Sequence, residues 1–253
     1  MNRRRWLAGA AATLGAAFTA ACDKVTASPV VQQALRMAEG LTRRSQRLIV
    51  PRNALAPTYD RADISPDFKA NGSIDPQASD YLALKAGVFA DYRLVIDGLV
   101  ERPLALSLTE LRSRPAQSQI TKHDCVEGWT SIAEWTGVRL ETLLDEAGLK
   151  PEARYIVFHC FDALDQREDG ERYYESIDLV DARHPQTILA WAMNGQTLPV
   201  PYGAPLRLRV ERQLGYKHAK YIRRIEAVES FAHLGAGRGG YWEDRGYEWY
   251  AGI

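Results

Sequence analysis

Short segments in which apolar and polar residues alternate recur along the chain from Tyr92 onward. A two-residue period places the apolar side chains on one face of an extended strand. The pattern predicts six strands, at residues 93–100, 118–123, 155–161, 187–193, 206–210 and 221–228. The dipeptide Asn194-Gly195, which favours a hairpin turn, ends the fourth of them.

Only a few segments of this region have helical spacing. Ser107 and Glu110 form a capping-box pair at the start of a short helix that ends at Arg112. Residues 138–147 carry an apolar face and stop before Gly148, a residue that favours a helix C-terminus. Many strands with few short helices predict an α+β fold, in which long loops wrap mixed sheets.

The N-terminal part of the chain has a different pattern. Residues 1–22 combine an arginine triplet, an apolar stretch and small residues before Cys22, which is the layout of an export signal. The arginines followed by Trp6 and Leu7 resemble a twin-arginine signal, so we expect export to the periplasm. Whether the leader is cleaved, kept as a membrane anchor or lipidated on Cys22 stays open. Residues 23–80 predict a linker helix, at 29–47, and an irregular wrap, and residues 81–253 form the main domain with an aromatic C-terminal tail.

Composition narrows the class of protein. The 253 residues include 32 basic and 32 acidic side chains, so the formal net charge is +0 and nothing pulls the chain toward nucleic acid. A hydrophobic content of 46% suffices for a buried core. The mean hydropathy of −0.31 argues against a polytopic membrane protein.

Cys125 and Cys160 are the two cysteines beyond the leader. In an exported protein a disulfide between them is the common arrangement. Polar residues and a turn-forming glycine surround Cys125, however, which is a poor setting for an inert core thiol. No spacing typical of a zinc site occurs, so the other hypothesis is a thiolate on a softer metal whose remaining ligands come from an organic cofactor.

A second group of residues favours anion binding. Arg207 follows a glycine turn and a proline, and Lys220 follows Gly215. Arginine grips phosphate with two N–H groups, lysine adds a point charge, and the backbone N–H groups of a glycine loop can complete a nest. The simpler interpretation, which the strand alone favours, is a solvated basic face.

These motifs resemble those of a known family. The segments 125–129, 135–138, 203–207 and 215–220 occur in the order found in the molybdopterin-binding domain of the sulfite oxidase family. Within that family the chain is most similar to the exported methionine-sulfoxide reductase catalytic subunits. The resemblance implies the sulfite oxidase fold and molybdenum-molybdopterin as the cofactor, with one cysteine thiolate on the metal.

The resemblance also implies roles for individual residues. Cys125 would be the thiolate on molybdenum, while Arg207 and Lys220 would hold the pterin phosphate. Further cofactor contacts would come from Asn71, Cys160, Tyr202, His218 and Ala219. Independently of the resemblance, His123 lies two residues before Cys125, and strand residues at that spacing share a face. His123 is therefore a candidate proton donor, against the alternative of a structural histidine.

The expected function is that of an exported molybdenum oxidoreductase. It would transfer an oxygen atom in a two-electron reaction, the reduction of a small S- or N-oxide. Sulfite-type oxidation by the same centre is one alternative, and a non-catalytic binding module stapled by a disulfide is another. We expect a monomeric catalytic subunit whose electron partner is a membrane b-type cytochrome or another quinol-linked protein, with no nucleic acid involved. The aromatic tail is interpreted as a surface wrap rather than a lip over the pocket.

Overall fold

A computed structural model describes residues 28–165, 167 and 170–253 of the chain. The chain divides into two compact units, Met1–Val50 and Pro51–Ile253. In the first unit the described element is helix α1, Pro29–Ile49, with Pro29 in its first turn, where the missing N–H costs nothing. The predicted export leader and its Cys22 lie outside the described residues.

None of the described helices combines the length and the apolar character needed to cross a lipid bilayer.

The second unit contains two five-stranded sheets. The first has the order β2-β1-β10-β5-β6, in which β1 and β10 are parallel and the other neighbours antiparallel. Its strands are β1 (Arg93–Gly98), β2 (Leu104–Ser107), β5 (Tyr155–Ala163), β6 (Arg172–Asp178) and β10 (Ile222–Val228). Strands β1 and β10 are therefore neighbours in this sheet, although all the other strands lie between them in the sequence.

The second sheet is antiparallel throughout and has the order β3-β4-β7-β8, with β9 also paired to β7. Its strands are β3 (Ala116–Asp124), β4 (Thr130–Arg139), β7 (Ile188–Met193), β8 (Gln196–Thr197) and β9 (Arg207–Arg209). The connection between β3 and β4 and the segment after β9 both carry motifs that the sequence singles out.

The helices of the second unit are short, as predicted. They are α2 (Ser79–Ala86), α3 (Leu108–Arg112), α4 (Leu140–Ala147) and α5 (Leu179–Ala182). Ser107 and Glu110 form the expected capping box on α3, each side chain bonding the other's backbone N–H. Leu140, Leu143 and Leu144 of α4 are fully buried in the main core, so its apolar face fixes the helix in place.

The structure corrects three parts of the predicted element order. Four strands lie outside the predicted set. Strands β2 and β8 are only four and two residues long, and β4 and β6 are buried at most positions and lack regular alternation. The helix expected at 138–147 begins at Leu140, since Val138 belongs to the end of β4. The strand expected at 206–210 shortens to Arg207–Arg209.

The irregular segment after Pro51 lies against the second sheet. The Tyr59 N–H donates to the Ile120 carbonyl oxygen at 3.0 Å, and the Ser65 N–H donates to that of Ile132 at 3.0 Å. Phe68 is buried in a small core cluster with Trp135 of β4. These contacts carry the chain across β3 and β4 and bring Asn71 to the connection between those two strands.

Candidate active site

Cys125 lies in the tight connection between β3 and β4. Its N–H donates to the Trp129 carbonyl oxygen at 3.0 Å, and its own carbonyl oxygen accepts from the Gly128 N–H at 3.0 Å. Gly128 has φ +83°, a left-handed conformation that side chains disfavour, so glycine suits this turn. Cys125 is 7% exposed, and it lines a cleft.

Asn71 contacts the Cys125 thiol directly. Its Nδ2 group donates to Sγ at 3.4 Å, within the range for a sulfur acceptor. The irregular segment therefore supplies a side chain that is hydrogen-bonded to this sulfur atom.

Lys220 holds that segment in place. Its Nζ donates to the carbonyl oxygens of Asn71 at 2.8 Å and Pro201 at 3.1 Å, and also to that of Ser73. An ammonium group has three hydrogens, so all of them are used. A bound phosphate at this position would take over one of these bonds.

The cavity volume of the cleft is about 200 Å³. The lining combines the thiol with cationic, anionic and aromatic side chains from both sheets, the irregular segment and the C-terminal tail. The lining residues with functional side chains are Asn71, Ser73, Cys125, Glu127, Asp162, Tyr173, Arg207, Tyr216, His218, Lys220, Trp242 and Tyr247.

Arg207 enters the cleft from β9. Its guanidinium lies over the Trp135 ring at 4.7 Å from the centroid, and its Nη1 donates to the Tyr202 carbonyl oxygen at 3.0 Å. Burial, and then the charge of Arg209, lowers the pKa of Arg207 to about 9. A nearby anion would reverse that effect, which makes this a favourable place for phosphate.

Lys220 and Asp162 titrate close to neutrality. Burial first, then the charge of Arg207, lowers the pKa of Lys220 to about 7, whereas Asp162 acts in the opposite direction. Burial raises the pKa of Asp162 to about 6, against the hydrogen bond from Ser73 and the charge of Lys220. Asp162 is not among the residues predicted from the sequence, because a single aspartate at the end of a buried strand belongs to no motif.

The hydrogen bond of the His218 ring shows which of its two nitrogens is protonated. Its Nε2 lies 3.0 Å from the Gln213 carbonyl oxygen, an acceptor only, so Nε2 is the protonated nitrogen. Burial and the neighbouring Arg209 lower the pKa of His218 well below its ordinary value, so the ring is neutral. Its Nδ1 is therefore a buried acceptor, and it has no partner in the structure.

Three residues that line the cleft carry buried polar atoms without a hydrogen-bond partner. They are a donor, Nε of Arg207, and two acceptors, Oδ1 of Asp162 and Nδ1 of His218. Unsatisfied buried polar atoms are rare and costly in proteins. A pterin ring offers both N–H donors and oxygen and nitrogen acceptors, so the residues present fit such a group.

The other predicted contacts lie behind this lining. The Tyr202 hydroxyl donates to the Phe68 carbonyl oxygen at 2.8 Å, and Tyr202 does not line the cleft. The backbone of Ala219 is used within the protein, its oxygen accepting from the Leu208 N–H and its N–H donating to the Lys217 oxygen. The roles of Tyr202 and Ala219 in cofactor binding stay predictions.

His123 is buried and does not line the cleft either. The Arg209 Nη1 donates to its Nδ1 at 3.0 Å, so the proton lies on Nε2. Burial, Arg209, Arg207 and Lys220 all lower the pKa of His123 well below its ordinary value. The geometry thus favours a structural role for His123, as a neutral ring hydrogen-bonded to Arg209, over the role of a proton donor.

Cys160 lies in the main core, away from Cys125. It is fully buried on β5 and contributes to a different pocket beside His159 and Arg223. Both cysteines are free, so the disulfide required by the binding-module alternative is not formed. Burial, then Asp162 and Glu175, raises the pKa of Cys160 well above its ordinary value, which makes the thiol unreactive. Its predicted cofactor contact is not brought to the cleft.

Within the described residues, no group of three or more histidine, cysteine, aspartate or glutamate side chains is arranged to hold a metal ion.

Aromatic residues form one wall of the cleft, and two of them belong to the tail that the sequence predicts to be a surface wrap. Trp242 and Tyr247 stack with ring centroids 5.1 Å apart, and Tyr216 contacts Tyr247 edge to face at 5.1 Å. Tyr173 joins them, its hydroxyl donating to the Tyr216 carbonyl oxygen at 2.5 Å. We call Tyr173, Tyr216, Trp242 and Tyr247 the aromatic wall.

Comparison with known proteins agrees with the site. Residues 83–233 match the family model described as the oxidoreductase molybdopterin binding domain. A protein of Azospira oryzae, provisionally named protein-methionine-sulfoxide reductase subunit YedZ1, is 40% identical over 201 residues, which are 79% of this chain and 69% of the relative.

Two further relatives are named protein-methionine-sulfoxide reductase catalytic subunit MsrP. The one from Gluconobacter oxydans is 36% identical over 147 residues, covering 54% of this chain and 47% of its own length. The one from Xanthomonas campestris pv. campestris is 36% identical over 155 residues, covering 58% and 48%. The chain therefore spans about half the length of these two relatives.

Among solved structures, the sulfane dehydrogenase SoxCD from Paracoccus pantotrophus has a similar fold. The TM-score is 0.52 at 25% sequence identity, over 71% of this chain and 46% of the SoxCD chain. The α+β fold predicted from the sequence is thereby confirmed.

Proposed function

The chain belongs to the family of molybdopterin-binding oxidoreductases and is an enzyme of that class, and from this premise we propose that it reduces a sulfoxide to a thioether. The reaction consumes two electrons and two protons and releases water: R₂SO + 2e⁻ + 2H⁺ → R₂S + H₂O. A bound molybdenum cofactor supplies the centre that accepts the oxygen atom and delivers the electrons. The names of three relatives, which mention methionine sulfoxide, support this reaction class.

In this proposal the chain holds the cofactor with the cleft residues. Cys125 would supply a thiolate to molybdenum, with Asn71 donating to its sulfur atom. Arg207 and Lys220 would hold the pterin phosphate, since both are buried cations on the lining. His218 Nδ1 and Arg207 Nε would bond the pterin ring, because each lacks a partner in the protein.

The charge of the lining carries the choice of substrate. Arg207 and Lys220 are the cations on the described lining, and in this proposal the pterin phosphate neutralises both of them. Asp162 and Glu127 add carboxyl groups. An anion such as sulfite would meet these groups unfavourably, whereas a sulfoxide is neutral and dipolar. Arg209 is paired with Glu211 and lies off the lining.

Asp162 is the proposed proton carrier of the chain. Its Oδ1 has no partner in the protein, its side chain is buried on the cleft, and the pKa of about 6 allows it to hold a proton in mildly acidic solution. A carboxyl group in that state can donate to the oxygen that leaves the substrate.

The electron partner and the location of the enzyme are part of the proposal. Two relatives are named catalytic subunits, which supports a separate subunit that supplies electrons. A membrane b-type cytochrome or another quinol-linked protein would fit, and the enzyme would act in the periplasm. The arginine-rich segment before the apolar stretch of residues 1–22 supports export.

Oxidation of a sulfur compound is the second candidate function, because the structural neighbour SoxCD is named a sulfane dehydrogenase. One comparison separates the two. Cofactor-loaded protein is supplied with a reduced viologen dye and methionine sulfoxide, and in parallel with sulfite and ferricyanide. We expect dye oxidation that depends on sulfoxide and little ferricyanide reduction. Faster turnover of sulfite than of sulfoxide would overturn the proposed direction.

A further inference from the structure

The C-terminal tail closes one side of the cleft and lies beyond residues 83–233, which match the family model. Its side chains Trp242 and Tyr247 both line the cleft.

Hydrogen bonds and a buried ion pair hold the tail against the domain. The Tyr241 N–H donates to the Tyr174 carbonyl oxygen at 2.9 Å, and the Leu214 N–H donates to that of Ala251 at 2.9 Å. Glu243 lies between Trp242 and Tyr247 in the sequence, and its buried carboxylate accepts a hydrogen bond from the Lys217 ammonium at 2.5 Å. Contacts of this kind hold the wall in position before a substrate arrives, so little ordering is needed on binding.

Two exposed apolar side chains border the cleft. Val126, directly after Cys125, is 43% exposed, and Tyr247 is 40% exposed, whereas Glu127, directly after Val126, adds an exposed carboxylate. Exposed apolar groups that border one cavity mark a ligand site rather than scattered surface residues. Val126 and Tyr247 therefore give the cleft an apolar surface close to the thiol and the buried polar groups.

This arrangement suits the two ends of a dialkyl sulfoxide. The oxygen is a strong acceptor and belongs with the polar groups of the cleft, whereas the sulfur and the carbons attached to it are polarizable and carry partial positive charge. Aromatic faces attract both sulfur atoms and positively polarised groups. No charged side chain is required for such recognition.

We propose that Trp242 and Tyr247 are the specificity-determining residues of the enzyme, binding the sulfur and S-alkyl group of the substrate against their rings. The inference rests on the proposed sulfoxide reduction and adds the residues that select the substrate. Substrates with an unhindered S-methyl group enter best, and purely polar N-oxides or anions gain nothing from the wall.

The test uses the cofactor-loaded enzyme with Trp242→Leu, Tyr247→Leu and the double variant. Leucine keeps an apolar side chain and removes the ring. We expect the KM for methionine sulfoxide to rise roughly 10-fold in the double variant, since one to two sulfur–aromatic contacts are lost, with kcat within about twofold. Trp242→Phe should restore most of the affinity, and Tyr250→Leu, a tail tyrosine off the cleft, serves as the matched control.

A binding measurement separates recognition from turnover. Methionine sulfone has the same S-methyl group but is not the substrate of the proposed reaction. Its Kd is measured by titration calorimetry on the same proteins. We expect its Kd to rise by a factor similar to that of KM. Unchanged KM and Kd in both single variants, with active wild type, would overturn the aromatic wall and leave the proposed function standing. A wild type that neither reduces sulfoxide nor binds sulfone would overturn both.

Discussion

Replacing Lys217 with methionine should destabilise the protein strongly. Lys217 lies in the segment after β9, and its ammonium donates to Glu175 of β6 and to Glu243 of the tail. The three side chains are at most 1% exposed. Lys217→Met keeps most of the side-chain volume but leaves two carboxyl groups together in the interior without their cation.

The cost follows from the titration of this cluster. Burial lowers the pKa of Lys217, but Glu175 and Glu243 overcome this and hold it above its ordinary value, so the cation is charged. Burial and then Glu243 raise the pKa of Glu175 well above its ordinary value. Removing one partner of a buried charge pair costs about 3–5 kcal/mol, and we expect that loss near pH 7.5.

The loss should depend on pH in a defined direction. Without Lys217 the folded variant holds about one more carboxyl proton than the wild type. The unfolded chain releases that proton above the ordinary glutamate pKa, so the stability of the variant falls as pH rises. The difference between variant and wild type should shrink by roughly 1.4 kcal/mol for each pH unit between 7.5 and 5.5.

Urea unfolding followed by tryptophan fluorescence measures these free energies. Cofactor-free protein is used, because a bound ligand adds its own stabilisation. Lys85→Met is the matched control, since Lys85 and its partner Asp75 have side chains 36% and 48% exposed and such pairs contribute about 1 kcal/mol at most. A loss below about 1 kcal/mol for Lys217→Met, or a loss independent of pH, would refute the reasoning.

Three further results are expected. Asp162→Asn should lower sulfoxide reduction about 100-fold at unchanged molybdenum content. The wild-type activity should decline as pH rises through about 6, and the variant should lack this decline. A variant as active as the wild type at every pH would exclude Asp162 as the proton carrier. Gly215→Ala places a Cβ 2.7 Å from Nε2 of the buried His123 and should lower cofactor loading, unlike Gly87→Ala, whose Cβ comes no nearer than 3.7 Å to other atoms, an ordinary contact. In thiol titration of cofactor-free protein, Cys125 should react and Cys160 only after unfolding, whereas oxidised cysteines would restore the disulfide hypothesis.

The strands that alternate on one face were accessible from the sequence, and β4 and β6 were not. In β1 and β10 the apolar positions face one side, so the two-residue period is visible. Both faces of a central strand such as β4 are packed against other parts of the protein. Apolar and polar residues therefore do not alternate along it. Gly137 of β4 shows the same constraint, because an added Cβ would lie 2.1 Å from the Leu189 oxygen of β7.

The candidate site divides along similar lines. Cys125, Arg207 and Lys220 belong to motifs contiguous in the sequence, and the structure brings all three to the cleft. Asp162 and Trp242 reach the cleft through the fold alone, from the end of β5 and from the tail. The spacing of His123 from Cys125 predicted a shared face, but the chain turns at Cys125 and the histidine stays behind the lining. Local spacing cannot reveal such turns.

The central claim is that Cys125 supplies a sulfur ligand to molybdenum in this cleft. The direct measurement is molybdenum X-ray absorption, with elemental molybdenum per chain, on cofactor-loaded wild type and Cys125→Ser. The account predicts near-stoichiometric metal in the wild type and one sulfur ligand fewer in the variant, while Cys160→Ser matches the wild type. The same number of sulfur ligands in Cys125→Ser, or no molybdenum in wild-type protein from a cofactor-producing host, would contradict it.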